Sequence, residues 1–157
     1  MTIRKRTKII LFIGIVGAIV ATTVVAYMFF MPHRDVQSTK TDYELSTAAL
    51  VNEYLENADA ANHKYLDEGG ESKVFEVTRL IQSISEDYNQ QQVILLKSEG
   101  ALAGVRCTFT QKTNASALKV EVGQTVTIKG VIRSGAAYDE DLGLYENIIL
   151  EKADIIK

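Results

Sequence analysis

The hydrophobic pattern divides the chain into stretches with different periods. Residues 9–31 run for 23 positions without a charge. At ~1.5 Å per helical residue such a run reaches ~34 Å, enough for the ~30 Å hydrocarbon core of a bilayer. The pattern predicts one transmembrane helix there. A polar stretch follows, with no apolar periodicity and the run Gln37-Ser38-Thr39-Lys40-Thr41, which reads as a linker. Helical spacing resumes near Ser46, a suitable N-cap preceded by Leu45. Leu50, Tyr54 and Ala58 fall on one stripe, with Val51 and Leu55 beside it. A second helical stretch, 59–66, puts Ala61 and Tyr65 on one side and stops at Gly69-Gly70.

From Ser72 the period becomes alternating. Strands are predicted over 73–85, 92–97, 104–110, 125–133 and 145–156, with turns at Asp87-Tyr88-Asn89, Glu99-Gly100 and Ser134-Gly135. In the third, Val105, Cys107 and Phe109 point one way and Arg106, Thr108 and Thr110 the other. In the fourth, Val126, Ile128 and Ile132 point inward, and Thr127, Lys129 and Arg133 outward. Five strands, a long first one and a long connection between the third and fourth give the order of an OB-fold, a partly open Greek-key barrel. The predicted class is mainly β, with a preceding helical segment and an N-terminal transmembrane helix. The expected divisions are 1–8 a basic N-terminus, 9–31 the anchor, 32–45 a linker, 46–70 the helical segment and 72–157 the barrel.

Charge sharpens the picture. Arg4, Lys5, Arg6 and Lys8 precede the apolar run, and the rest of the chain holds 13 Lys and Arg against 20 Asp and Glu, a balance of −7. The positive-inside rule then predicts a cytoplasmic N-terminus and a C-terminal domain in the periplasm. The length of the run, and its bulky end at Tyr27, Met28, Phe29, Phe30 and Met31, favour a retained signal-anchor over a cleaved signal peptide. The acidic balance disfavours nucleic acid, whose binding rests largely on phosphate neutralisation. Gly14 and Ala18, and Gly17 and Ala21, are small residues four apart, a spacing compatible with homodimerisation through the membrane helix.

Several segments together resemble a known family. Pro32-His33-Arg34-Asp35-Val36 follows the apolar run, and Asp59-Ala60-Ala61-Asn62-His63-Lys64-Tyr65-Leu66 precedes the first long strand. Val105-Arg106-Cys107-Thr108-Phe109 fills the third, and Val122-Gly123-Gln124-Thr125-Val126-Thr127-Ile128-Lys129-Gly130 opens the fourth. In this combination the chain is similar to the anticodon-binding-like (tRNA_anti-like) OB-fold family of small membrane-anchored bacterial proteins. The resemblance implies a fold and a location and names no activity. One departure is Thr78-Arg79-Leu80, where such proteins often carry a glycine at the bend of the first long strand. Any bend must here be made another way.

Candidate chemistry is sparse. Cys107 is the single cysteine and alternates with inward residues, so it reads as a small buried hydrophobe. His33 and His63 have no second histidine or cysteine at metal-ligand spacing. Asp139-Glu140-Asp141 lacks the Asp-x-Asp-x-Asp-Gly pattern of a calcium loop and reads as a solvated acidic turn. No catalytic residue, metal or cofactor is predicted. The candidate ligand-binding residues are Arg106, Lys129 and Arg133, outward on the sheet, with Tyr88 and Tyr138 in flanking loops. The expected function is a membrane-tethered, non-enzymatic binding module of the cell envelope, its partner a protein or an envelope polymer. The alternative is an assembly subunit acting through its membrane helix, and oligonucleotide binding is the less favoured third.

Overall fold

The structure, a computed structural model, describes residues 5–30 and 34–157, with side chains over 12–29 and 34–157. It separates into two compact units, Met1–Arg34 and Asp35–Lys157.

The first unit is one helix, α1 (Lys5–Phe30). It begins before the apolar run because Lys5, Arg6 and Lys8 are themselves good helix formers. Its stretch Phe12–Phe29, with mean hydropathy 2.2, is long and apolar enough to cross a membrane. The hydroxyls of Thr22 and Thr23 fold back onto the carbonyls of Ala18 and Ile19, both at 2.8 Å, so neither polar group needs an outside partner. A Cβ added at Gly14 or Gly17 would meet nothing within 4 Å. Met31, Pro32 and His33, and Arg4 at the other end, lie outside the described residues.

The second unit starts with β1 (Tyr43–Ser46), then α2 (Thr47–Glu56) and α3 (Ala58–Tyr65). Ser46 caps α2 through its side chain, which accepts from the Ala49 amide at 3.2 Å. Asn57 ends α2 and caps α3, accepting from the Ala60 amide at 2.9 Å. Two helices are made where one chain of helical spacing passes a residue that prefers a cap to an interior. Then come β2 (Val74–Glu86), β3 (Gln92–Leu96), β4 (Val105–Phe109), the short α4 (Asn114–Ala117) and β5 (Thr125–Ser134). A small hairpin, β6 (Ala137–Asp139) and β7 (Leu144–Glu146), precedes β8 (Ile148–Ile155).

The sheet order is β1-β2-β3-β4-β8-β5, and β5 pairs back onto β2 to close the barrel. All these pairings are antiparallel except β1 with β2 and β4 with β8. This is the OB-fold that the strand order predicts. β2 makes the closure by changing partners along its length. Val74–Leu80 pairs with β5, and from Ile81 the strand pairs with β3, with a register shift between Ile81 and Ser83. That bulge serves at the bend, in place of a glycine. The alternation places Phe75, Val77, Ile81, Ile94, Leu96, Val105, Cys107, Phe109, Ile128 and Ile132 in one core, onto which Leu50, Val51, Tyr54, Ala61 and Tyr65 of the helices also pack.

Two expectations change. The stretch 32–45, read as a linker, ends in a strand: Tyr43–Ser46 pairs in parallel with Phe75–Thr78. The residues before it are held too. Val36 is buried, Asp35 closes a turn onto Thr39, and Asp42 accepts from the Val74 amide at 2.8 Å. The final strand, expected over 145–156, is interrupted, because Leu144–Glu146 belongs to the β6–β7 hairpin and the barrel strand begins at Ile148.

Candidate functional site

In an OB barrel, ligands lie across the outer face of the second and third barrel strands, between the first-to-second and fourth-to-fifth strand connections. Here those strands are β3 and β4, and the connections are 87–91 and 135–147. The register puts the connections at opposite ends of the face. Val93 at the start of β3 pairs with Thr108, so 87–91 lies at the C-terminal end of β4. Val105 at the other end of β4 pairs with Ile148, just after 135–147.

Arg106 stands in the middle of this face. Val105 and Cys107 on either side of it are fully buried and Arg106 is exposed, as the alternation requires. Its cross-strand neighbours are Leu95 on β3 and Ile149 on β8, both half-buried, so the guanidinium rises from an apolar strip.

Tyr88 sits at the tip of the first connection and is fully exposed. Its turn is rigidly made. The Asp87 carboxylate accepts from the amides of Asn89 at 2.8 Å and Gln91 at 2.9 Å, and Gln90 adopts a left-handed φ of 60°. Asn114 of α4 clamps the turn from behind, accepting from the Gln92 amide at 2.9 Å and donating to the Gln90 carbonyl at 2.8 Å.

Tyr138 lies in the second connection, on β6, opposite Tyr145 of β7, and the two rings are 4.9 Å apart. The Asp139 carboxylate accepts from the Leu142 amide at 2.9 Å, and Gly143 at φ 64° completes the turn. The acidic run 139–141 is thus the tip of a hairpin, flanked by exposed Leu142 and Leu144. The base of this connection is fixed by Asn147, whose side-chain oxygen accepts from the Gly104 amide at 2.8 Å.

Arg133 is exposed near the same end, with its Nε 4.0 Å from the Glu151 carboxylate, at the outer limit of an ion pair. Lys129 departs from its expected role. It points away from the core as predicted, but its residue exposure is only 9 %. The segment before β1 covers it, and its Nζ donates to the carbonyls of Gln37 at 3.2 Å and Thr39 at 2.6 Å. Gln37 returns the contact, donating to the Lys152 carbonyl at 2.7 Å. Lys129 therefore ties residues 35–41 to the barrel. Alternation gave its side of the sheet and said nothing of a second layer over it.

The candidates do not converge on one point. Tyr88, Arg106 and Tyr138 mark the two ends and the middle of one strip, Arg133 adjoins it, and Lys129 lies under 35–41. Cys107 is buried beneath the strip, and burial pushes its thiol pKa well up, so it stays protonated and unreactive. Among the described residues no three His, Cys, Asp or Glu side chains gather in a metal-binding group. His63 is on α3, and His33 lies outside the described residues.

No curated protein matches the chain. Among solved structures, one that resembles it is the crystal structure of a lipoprotein from Klebsiella pneumoniae subsp. pneumoniae, to which nucleic-acid binding has been ascribed. The match has a TM-score of 0.54 at 18% identity and covers 81% of this chain and 100% of the other. At that identity the likeness bears on fold, and the fold is the same. The tRNA_anti-like family matches residues 1–140, most of the chain and most of its barrel, and the protein belongs to that family.

Proposed function

We propose that this protein is a membrane-tethered, non-enzymatic binding module of the cell envelope, which takes an extended partner across the outer face of β3 and β4. One observation carries the reading: an exposed Arg106 on an apolar strip, with an exposed tyrosine toward each end, Tyr88 on a well-bonded turn and Tyr138 on the β6–β7 hairpin. Aromatic rings on rigid turns offer stacking or apolar contact at little entropic cost, and a central guanidinium fixes register. The apolar helix α1 supports tethering, and the basic residues before it support a cytoplasmic N-terminus with the barrel in the periplasm. A reporter active only outside the cytoplasm, fused after Lys157, should be active; activity of a cytoplasmic reporter alone would reverse this topology.

The partner is a protein or an envelope polymer. The reading is tested with the full chain in its own membrane. The variant Tyr88→Ala, which removes a fully exposed ring, should lose most capture of the partner while its stability is unchanged. Unchanged capture would overturn the reading.

A second reading, single-stranded nucleic acid, is favoured by the activity ascribed to the Klebsiella lipoprotein. The excess of 20 acidic over 13 basic residues beyond the apolar run opposes it. Salt-dependent binding of an oligonucleotide, abolished by Arg106→Ala, would establish it instead. A third, assembly through α1, draws on the open helix surface at Gly14 and Gly17. Replacing α1 with an unrelated anchor separates it: a binding module keeps its role and an assembly subunit loses it.

A further inference from the structure

The segment 35–41, expected as part of a linker, is bound to the barrel along its length. Val36 is buried, the Lys129 ammonium holds the carbonyls of Gln37 and Thr39, and the Thr41 hydroxyl donates to the Glu76 carboxylate. This docking shortens the tether. A chain loose from Met31 to Tyr43 would reach roughly 40 Å when extended. From Met31, where the apolar run ends, to Asp35 it reaches at most about 14 Å. The headgroup layer of a bilayer takes roughly 5–8 Å of that reach. With the apolar run in a bilayer, the barrel surface at Asp35 is therefore at the headgroups or just above them.

The charge at this surface departs from the acidic balance of the rest. Lys112 stands beside the start of the segment: the Asp35 carboxyl is held below its usual pKa first by the Ser38 amide, and Lys112 adds to the effect. Lys112 is exposed, and so is Lys40 at the other end of the segment. Among the described residues neither ammonium makes a hydrogen bond or an ion pair. The acidic groups packed along the segment are instead turned onto the protein. Asp35 accepts from the Gln37 amide at 3.1 Å, Glu76 accepts from Thr41, and Asp154 accepts from the Ser116 hydroxyl and the Ile155 amide.

We propose that the surface around residues 35–41, with Lys40 and Lys112, rests on the anionic headgroups of the bilayer to which the chain is tethered. The inference rests on the tethering read above and adds which face of the barrel meets lipid. An anionic surface attracts each nearby lysine and falls off within about 8–10 Å, a range the short tether keeps within reach. The surface contains none of Tyr88, Arg106 and Tyr138.

The test uses the full-length chain reconstituted into vesicles of phosphatidylcholine, with or without added phosphatidylglycerol. The chain has no tryptophan, so one introduced residue is a unique reporter. Gln111→Trp places it next to Lys112, just before the α4 that clamps the 87–91 turn, and Glu140→Trp places it on the hairpin at the other end of the barrel face. Both positions are exposed. Fluorescence is quenched by a lipid that carries a nitroxide on its headgroup. Tryptophan 111 should be quenched more than tryptophan 140, and phosphatidylglycerol should widen the difference. Lys40→Gln and Lys112→Gln should each weaken the lipid contact roughly fivefold, and together they should remove the effect of phosphatidylglycerol. Equal quenching at 111 and 140, or a difference indifferent to phosphatidylglycerol or to both lysines, overturns the proposal. Flotation of the same vesicles reads the tether separately: a chain that floats without the contrast overturns this proposal alone, and a chain left behind overturns the tethering as well.

Discussion

Two carbonyls, those of Gln37 and Thr39, converge on the Lys129 ammonium, and the exchange of lysine for any shorter side chain leaves both without it. Lys129→Ala should therefore destabilise the folded unit by about 1–2 kcal/mol, the cost of two part-buried acceptors losing a charged donor. Arg106→Ala, at an exposed position between two buried residues, should stay within about 0.5 kcal/mol. Denaturant unfolding of the two variants checks this, and equal effects would contradict the layer placed over Lys129. Gly135 poses the opposite problem, too little room. A Cβ there would stand 1.9 Å from a ring carbon of Tyr54, so Gly135→Ala must push the ring or the strand and should cost about 1–3 kcal/mol.

Tyr54 itself is buried with an unpartnered hydroxyl, and burial raises its pKa from 10.0 to about 12. Its proton is bound more tightly in the folded state. The associated stability is full below pH 10.0 and is lost as pH rises toward about 12. Tyr54→Phe should be neutral or slightly stabilising at pH 7 and should flatten that alkaline loss. Glu53 works in the other direction. The Tyr65 hydroxyl, at 2.5 Å, is the main cause of its lowered pKa, with Lys64 adding to it. Its contribution is present above the ordinary carboxylate range and lost as pH falls through the folded value, so Glu53→Gln should flatten the acid limb of a stability profile. A profile unchanged by either substitution would contradict these assignments.

At the scale of elements, strands with one buried face were legible and elements stabilised by their surroundings were not. β4 alternates over five residues and reads cleanly, and its neighbours Leu96 and Ile148 fit the same core. β1 is four residues long, preceded by a polar run, and is specified by pairing with β2 and by the Asp42 side chain on the Val74 amide. Neither signal exists in local sequence. The β6–β7 hairpin escaped for a related reason: its strands are three residues each, are not buried, and hold together through the Tyr138–Tyr145 contact and the Asp139 turn. The docked segment makes its own prediction. The amide of Asp42, which donates to the Val74 carbonyl at 2.9 Å, should exchange with solvent deuterium as slowly as the amides of β2. Exchange at the rate of a free linker would contradict the contact.

For the whole molecule, the closed order β1-β2-β3-β4-β8-β5 with β5 returning to β2 explains how a chain with few chemical groups can still present a specific surface. The barrel uses its interior for packing, Cys107 included, so the proposed recognition falls to one outer strip and its loops. The exposure of Arg106, Tyr88 and Tyr138 was legible in the sequence because alternation and turn chemistry are local. The sequence did not show that Lys129 is covered, because that depends on contacts between residues far apart in the chain. The central claim is that the strip between Tyr88 and Tyr138 is where the partner binds. It is tested most directly by photocrosslinking in the native membrane, with a photoreactive residue placed in turn at positions 88, 106, 138 and, as a contrast on other exposed surface, 118 and 122. The account predicts one common adduct from 88, 106 and 138 and none from 118 or 122. An adduct confined to 118 and 122, or formed equally from all five positions, would contradict it.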